Sequence, residues 1–283
     1  MKTLLTIVCF SILSLSFRAQ AEQSPLKLHF LNVGEGSAAI VQSPDPNIGY
    51  INSLIDVGNP SAAIKIKNYL ETQQISELNS IYLSHPHLDH IGGIFTLLQL
   101  INTKEIYDNG EDLESALKEN KMFRWYKEEV RQDKRYKALR ANSMHSTSKT
   151  TLEILWPEEL TQDWNTNSLV MLLTYNSFKC LIMNDANSET EAQLIARNRI
   201  SDVDLLIVGH HGAQDASSNE FLDVVKPEAA IISVNKDNYY GHPSDETINR
   251  LRNHGVRVYR TDRDGDIIAS VLEDSSYKIE STL

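Results

Sequence analysis

Residues 84–93 read Ser-His-Pro-His-Leu-Asp-His-Ile-Gly-Gly and directly follow an apolar Ile-Tyr-Leu run. Four side chains of metal-binding type therefore occupy six consecutive positions. A short strand that ends in a tight loop can direct His85 and His87 at one cation and Asp89 and His90 at a second. Imidazole and carboxylate together suit zinc, manganese or iron. The stretch predicts a site for two metal ions at the end of a strand.

The first 21 residues have the features of a secretory signal peptide. Lys2 precedes an apolar stretch from Leu4 to Phe17, and Ala-Gln-Ala at 19–21 is the small-x-small pattern that signal peptidase recognises. The apolar stretch is shorter than the roughly 20 residues that span a bilayer, which disfavours a membrane anchor. We expect removal of 1–21, no integral membrane segment afterwards, and a protein exported to the periplasm or secreted.

The remaining residues, 22–283, are enough for one large domain with a well-buried core. The formal net charge of the chain is −11, which disfavours a loose, non-specific grip on polyanions. Cys180 is the only cysteine beyond the signal, so no internal disulfide can form. Its place in an apolar run predicts a buried thiol.

Polar or Gly-rich breaks divide the chain into short apolar runs. Runs at 26–32, 37–41 and 50–56 have the pattern of antiparallel strands. Further strands are predicted at 81–83, 152–155, 168–175, 178–184, 203–208, 229–234, 256–259 and 266–272. Helices are predicted at 62–70, 91–100, 188–198, 219–225 and 245–253. This order favours an α/β (α+β) fold in which two mixed sheets stack face to face with helices outside.

One stretch of this acidic chain is basic. Residues 111–140 hold nine Lys or Arg side chains together with Phe123, Trp125 and Tyr126. One interpretation is a lid that approaches an anionic substrate over the metals. The other is a solvated helical hairpin in which acidic residues pair with the bases. The sequence leaves both open.

Several motifs resemble those of the metallo-β-lactamase superfamily, and within it the metallo-hydrolase domain of ComEC-type competence proteins. The resemblance runs from about Lys27 to Leu272. It rests on Phe-Leu-Asn-Val-Gly-Glu-Gly-Ser at 30–37, Leu-Ile-Asp-Val-Gly at 54–58, the His cluster, Asn-Ser-Leu-Val at 167–170, Asp185, Gly-His-His-Gly at 209–212 and Tyr-Gly-His-Pro at 240–243. It implies an αββα sandwich over residues 22–283.

The resemblance also implies roles for individual residues. His85 and His87 would hold one metal, Asp89 and His90 the other, and Asp185 would bridge both. A histidine of the 209–212 loop would complete the second site. His210 is favoured as this ligand and His211 as a neighbouring or phosphate-facing group, with the reverse assignment left open.

Two further residues are expected to support the ligands. Asp56 would orient the His loop through a hydrogen bond, and its alternative role is to cap a turn. Asn167 belongs to the polar run 165–168, which stands where typical lactamases have another ligand histidine. The only histidine in that interval is His145, in a Ser-rich loop, and it is not the expected ligand. The first metal site would then be the more open one.

The expected chemistry is hydrolysis with two divalent ions, Zn²⁺ first and Mn²⁺ as the alternative. Asp89 would steer a proton, and His242 would bind the substrate oxyanion or protonate the leaving group. The resemblance favours a phosphodiester substrate, with single-stranded DNA as a candidate, and hence a nuclease-like phosphodiesterase. The alternatives are a β-lactam or lactone hydrolase and a catalytically weak module that binds DNA or a polymer.

Overall fold

The computed structural model of the protein describes residues 25–112 and 121–283, so the expected signal peptide lies outside the described residues. Fifteen strands are found within them. They are β1 Leu26–Phe30, β2 Ala39–Asp45, β3 Gly49–Ile55, β4 Glu77–Leu83, β5 Asn102–Asp108, β6 Tyr136–Ala138, β7 Met144–Ser146, β8 Thr150–Trp156, β9 Val170–Tyr175, β10 Phe178–Ile182, β11 Leu205–Ile207, β12 Ala229–Ile232, β13 Arg257–Arg260, β14 Ile267–Val271 and β15 Tyr277–Ser281.

Helices connect and cover these strands. They are α1 Ala62–Thr72, α2 Leu88–Ile91, α3 Ile94–Leu100, α4 Lys121–Glu129, α5 Ser188–Ala196, α6 Asn219–Val225, α7 Asp245–Asn253 and α8 Thr261–Asp264, with a 3₁₀ turn at Gly209–Gly212. Within the described ranges, no helix is long and apolar enough to cross a membrane.

The strands form two mixed sheets. The first has the order β15-β14-β1-β2-β3-β4-β5-β6, and the second has the order β13-β12-β11-β10-β9-β8-β7. Strands β3 to β6 pair in parallel, as do β10 to β13, and the others pair in antiparallel fashion. The closing strands β14 and β15 return to the first sheet beside β1.

Alternating side chains divide the core into three layers, as the period of two along a strand requires. In β10, Phe178, Cys180 and Ile182 point between the sheets, whereas Leu181 packs against the outer helices. The outer face of the first sheet is covered by α1, α3 and α4 in the same way. The arrangement is helix, sheet, sheet, helix, which confirms the predicted αββα sandwich. Burial raises the pKa of the Cys180 thiol, and this cysteine is free, as expected.

The strands that the sequence analysis missed include β6, β7 and β15, and all three lie at or beside a sheet edge. Their side chains are largely exposed, so they lack the apolar alternation that marks an inner strand. Strand β5 was also missed. It begins with the polar residues Asn-Thr-Lys-Glu, and only its end, which includes Ile106 and Tyr107, is buried and apolar.

Over its described part, the basic stretch is one helix followed by an edge strand. Residues 113–120 lie outside the described residues, helix α4 buries Phe123 and Tyr126 against the first sheet's outer layer, and β6 extends the sheet edge. A helical hairpin is therefore wrong for residues 121–140, because β6 takes the place of the second helix.

A buried charge pair fastens this stretch to the end of β5. The carboxylate of Asp108 accepts hydrogen bonds from the Arg131 Nε at 2.7 Å, from the Tyr126 hydroxyl at 2.8 Å and from the Tyr136 hydroxyl at 2.6 Å. The side chains of Asp108 and Arg131 are only 3% and 8% exposed, so each depends on the other for its charge compensation.

Replacing Arg131 with Met is expected to lower the free energy of unfolding by about 3 kcal/mol, because it leaves a buried carboxylate without its cation. The measurement is urea denaturation followed by circular dichroism. Arg135→Met is the matched control, because the Arg135–Asp133 pair is 28% and 25% exposed and should contribute under about 1 kcal/mol. Equal losses in the two variants would contradict this account.

Candidate metal centre

Three potential ligands meet where β4 and β10 end. His85, His87 and Asp185 each offer an atom within 4.8 Å of the others. The Nε2 atom of His85 lies 2.8 Å from Nδ1 of His87, and it lies 3.6 Å from Oδ2 of Asp185. Two imidazoles and a carboxylate are a donor set that suits zinc and related divalent ions.

A second group of three adjoins the first. Asp89, His90 and His211 also offer atoms within 4.8 Å of one another. Oδ2 of Asp89 lies 3.7 Å from Nε2 of His90 and 3.4 Å from Nε2 of His211, and the two histidine nitrogens are 3.3 Å apart. Asp89 and His90 both belong to the short helix α2, and the ring of His90 lies 4.3 Å from that of His85, so the two groups adjoin.

Asp185 faces both groups, as expected for a bridging ligand. Its Oδ2 points to His85, and its Oδ1 lies 3.1 Å from Nε2 of His90 and 3.5 Å from Nε2 of His211. Oδ1 is buried, yet it has no hydrogen-bond partner of good geometry among the described residues. A buried carboxylate oxygen without such a partner is costly. A divalent ion fits this position, because it would satisfy the oxygen.

Asp56, which is expected to orient the His loop, lies beside two of the potential ligands. Oδ2 of Asp56 lies 2.6 Å from Nδ1 of His90, and Oδ1 accepts a hydrogen bond of 2.7 Å from the backbone of Ser84. The Ser84 hydroxyl donates to Asp56 at 2.8 Å and lies 3.0 Å from Nδ1 of His85. A carboxylate on Nδ1 holds the imidazole with Nε2 free to bind a metal.

The charges of the cluster shift the pKa values of its members in opposite directions. Burial works against the protonated form, but the carboxylates of Asp185, Asp56 and Asp89 together raise the pKa of His90 well above its ordinary value. Against the same burial cost, Asp185 and Asp89 raise the pKa of His211 to about 9. Burial lowers the pKa of His85. The carboxylates thus draw positive charge to this side of the site, where a bound cation would supply it.

His211, not His210, is the histidine that joins the second group, so the favoured sequence assignment does not agree with the structure. Nδ1 of His211 donates a hydrogen bond of 2.8 Å to the backbone oxygen of Ser233, which leaves Nε2 facing Asp89 and Asp185. Both histidines have positive φ, 45° for His210 and 52° for His211, and their ring centroids lie 6.5 Å apart. The backbone oxygen of Ser233 lies on another strand end, which the sequence pattern does not reveal.

His210 instead lies beside the other polar groups of the opening. Its Nε2 accepts a hydrogen bond of 3.1 Å from Asn165, and its ring lies 5.5 Å from the ring of His242. His242 is half-buried, and burial, together with the charges of His210 and His211, lowers its pKa. The predicted catalytic residue His242 thus contacts His210, whose neighbour in the chain, His211, belongs to the second group.

Asn167, a predicted supporting residue, and His145, which was not the expected ligand, both lie away from the ligands. The side chain of Asn167 contacts Glu111 and Thr161 rather than a metal ligand, so the expectation that it supports the site is wrong. The side chain of Asn167 instead links the loop at Glu111 to the loop at Thr161. Nδ1 of His145 lies 2.6 Å from the Tyr82 hydroxyl in a cavity of about 310 Å³ between the sheets, and it belongs to neither group of ligands.

Two supporting residues were not found from the sequence. Ser84 precedes the first histidine and binds Asp56, and Trp164 places its ring 5.1 Å from the ring of His87. Gly36, within the motif at 30–37, also supports the site. It has a φ of +102°, and a Cβ on it would collide with the backbone oxygen of Asp89. Ser84 was detectable as a hydroxyl next to a ligand, whereas the contacts of Trp164 and Gly36 are purely tertiary.

Comparisons with known proteins agree with this architecture. Residues 31–234 match the family described as the metallo-beta-lactamase superfamily. ComE operon protein 3 of Bacillus subtilis (strain 168) is 26% identical over 92% of this chain and 35% of its own length. Competence protein ComA of Neisseria gonorrhoeae is 28% identical over 83% of this chain and 30% of its own length. The chain therefore spans about a third of the length of these relatives.

A solved structure with a similar fold is the metallo-beta-lactamase fold protein YhfI from Bacillus subtilis. It superposes with a TM-score of 0.52 over 83% of this chain and 97% of its own, at 16% identity, which is evidence for the fold alone. The family match covers the strand ends that supply both groups of ligands. The chain is therefore a member of the metallo-β-lactamase superfamily.

Proposed function

We propose that the protein is a dinuclear phosphodiesterase that cuts phosphodiester bonds in nucleic acid. Its family is the basis for the coarser statement, a hydrolase that depends on divalent metal ions. The observation that carries the proposal is the position of Asp185, with one carboxylate oxygen directed at each group of ligands. Such an arrangement supports two ions side by side, as in many phosphoryl-transfer sites.

His85, His87 and Asp185 would hold one ion, and Asp89, His90, His211 and Asp185 the other. When bound, two divalent ions supply positive charge for the phosphoryl oxygens and make water more acidic, and zinc and manganese both suit this donor set. Asp89, whose side chain is 27% exposed, is placed to accept a proton at the opening.

The polar residues beside the second group would bind the substrate. Because its pKa is lowered, the His242 ring is neutral near pH 7 and suited to donate a hydrogen bond to a phosphoryl oxygen. Of the two roles expected for His242, this favours oxyanion binding over protonation of the leaving group. Asn165 holds the ring of His210 in the same opening.

The first group has only two imidazoles among the described residues, which supports a phosphodiester over a β-lactam or lactone substrate. His145, which is engaged with Tyr82, does not supply the third. The relative named as a competence protein supports nucleic acid as the substrate, and single-stranded DNA is the form that we propose. The expected signal peptide supports action in the periplasm or outside the cell.

Purified protein is expected to contain two divalent ions per chain by elemental analysis. His211→Ala should lose one of them, whereas His210→Ala should retain both, because only His211 faces the second group. The two residues share a positive φ, so an alanine at either position adds a similar backbone cost. Equal metal contents in the two variants would overturn the assignment of His211.

Asp56→Asn is expected to weaken binding of one of the two ions by roughly 10- to 100-fold, because an amide holds His90 less firmly than a carboxylate does. Asparagine tolerates the φ of +56° at this position, so the change tests the charge rather than the backbone. Competition with a chromophoric chelator measures both affinities. An unchanged pair of affinities would contradict the orienting role.

Wild-type protein is expected to hydrolyse bis-p-nitrophenyl phosphate and a single-stranded oligonucleotide, and a chelator should stop both reactions. Asp185→Ala should lower kcat/KM roughly 1000-fold, since it removes several kcal/mol of charge stabilisation with the ions. Asp215→Ala, an exposed carboxylate near His210, is the control that should keep both ions. No cleavage with zinc, manganese or magnesium would refute the proposal.

A further inference from the structure

An exposed aromatic loop lies beside the candidate metal centre. Among the large apolar side chains of the described residues, Tyr239 is the most exposed at 97%, and its neighbour Tyr240 is 69% exposed. The two adjacent rings form an apolar patch on the surface, and such patches commonly mark a site of contact with a ligand.

The loop is held in a defined shape by Asn238. Its side-chain oxygen accepts a hydrogen bond of 2.9 Å from the backbone of His242, and its amide donates to the backbone oxygens of Asn235 and His242, each at 2.7 Å. The backbone of Ser244 then donates to Gly212 at 2.9 Å, which ties the loop to the turn that carries His211. Tyr240 is therefore displayed at a set position relative to the ligands.

A series of rings leads from this tyrosine to the metal centre. The rings of Tyr240 and His242 lie 5.7 Å apart and are inclined by only 16°, so they are nearly parallel. The His242 ring lies 5.5 Å from that of His210, whose neighbour His211 belongs to the second group of ligands. The open face of Tyr240 thus continues the substrate side of the site outward.

From this geometry we infer that Tyr240 is a stacking platform for a nucleobase that adjoins the phosphate held at the metal centre. The inference rests on the proposed function and specifies its substrate as one that carries a base. The net charge of the chain also favours stacking, rather than contacts to phosphates, as the source of affinity. The chain has a net charge of −11, and within the loop Lys236 is offset by Asp237, so a long basic track for phosphates is not available there. Stacking on an aromatic ring accepts every base.

The test compares two probes that a diesterase cannot cut: thymidine 3′,5′-bisphosphate and 1,2-dideoxyribose 3,5-bisphosphate, which lacks the base. Calorimetry gives the Kd of each for zinc-loaded wild type and variants. Tyr240→Ala is expected to raise the Kd of the thymidine probe about tenfold and to leave the base-free probe within twofold. Tyr240→Phe should behave as wild type, since the ring is retained.

Tyr239→Ala is the matched control on the same loop. The Tyr239 ring lies edge-on to that of Tyr240, inclined by 84°, and is not part of the series of rings, so its removal should change neither Kd more than twofold. Equal affinity of wild type for the two probes, an equal loss on both in Tyr240→Ala, or absence of thymidine-probe binding at millimolar concentration would each overturn the inference.

Hydrolysis assays separate this outcome from failure of the proposed function. If wild type cleaves bis-p-nitrophenyl phosphate but Tyr240→Ala shows no base-dependent loss, the phosphodiesterase stands and the base platform falls. If Tyr240→Ala instead loses activity only on p-nitrophenyl phosphorylcholine, the ring recognises a quaternary ammonium group and the inference is also overturned. If wild type cleaves no phosphodiester, the proposed function itself fails.

Discussion

The structure depends on the burial of carboxylates against imidazoles at one edge of the sandwich. His90 lies between Asp56 at 2.6 Å and Asp185 at 3.1 Å, and all three side chains are almost completely buried. Taking a carboxylate out of water costs several kcal/mol unless a cation or hydrogen bonds compensate. The strand ends of both sheets must therefore converge, because no single strand carries enough partners to compensate these charges.

Parallel pairing brings the partners together. In the first sheet, β3 and β4 pair in parallel with Ile55 beside Tyr82, so Asp56 and Ser84 emerge next to each other. In the second, the backbone of His210 donates to the oxygen of Asn184 at 2.7 Å, which fixes the histidine turn beside Asp185. The apolar layer between the sheets then sets the distance between these two edges.

Local sequence was sufficient to predict a site where potential ligands directly follow an apolar strand in the chain. The His cluster could be recognised because it follows an apolar strand, whereas the roles expected of Asp185 and Asp56 came from the resemblance to the superfamily. The layered fold followed from the order of the runs. The choice between His210 and His211 could not be predicted, because it depends on the backbone oxygen of Ser233, which is remote in sequence. The role of Asn167 could not be predicted for a similar reason, since its partners Glu111 and Thr161 belong to different loops.

The two successive histidines of the 209–212 turn both have positive φ, and their side chains contact different parts of the site. The backbone has φ and ψ of 45° and 48° at His210 and of 52° and 21° at His211. His211 turns inward to the carboxylates, and His210 turns to Asn165 and His242 on the open side. The two rings are neighbours, but they contact different groups. The same turn therefore links the candidate metal centre to the polar surface at Asn165 and His242, where the proposed phosphodiester substrate would lie even though the chain as a whole is acidic.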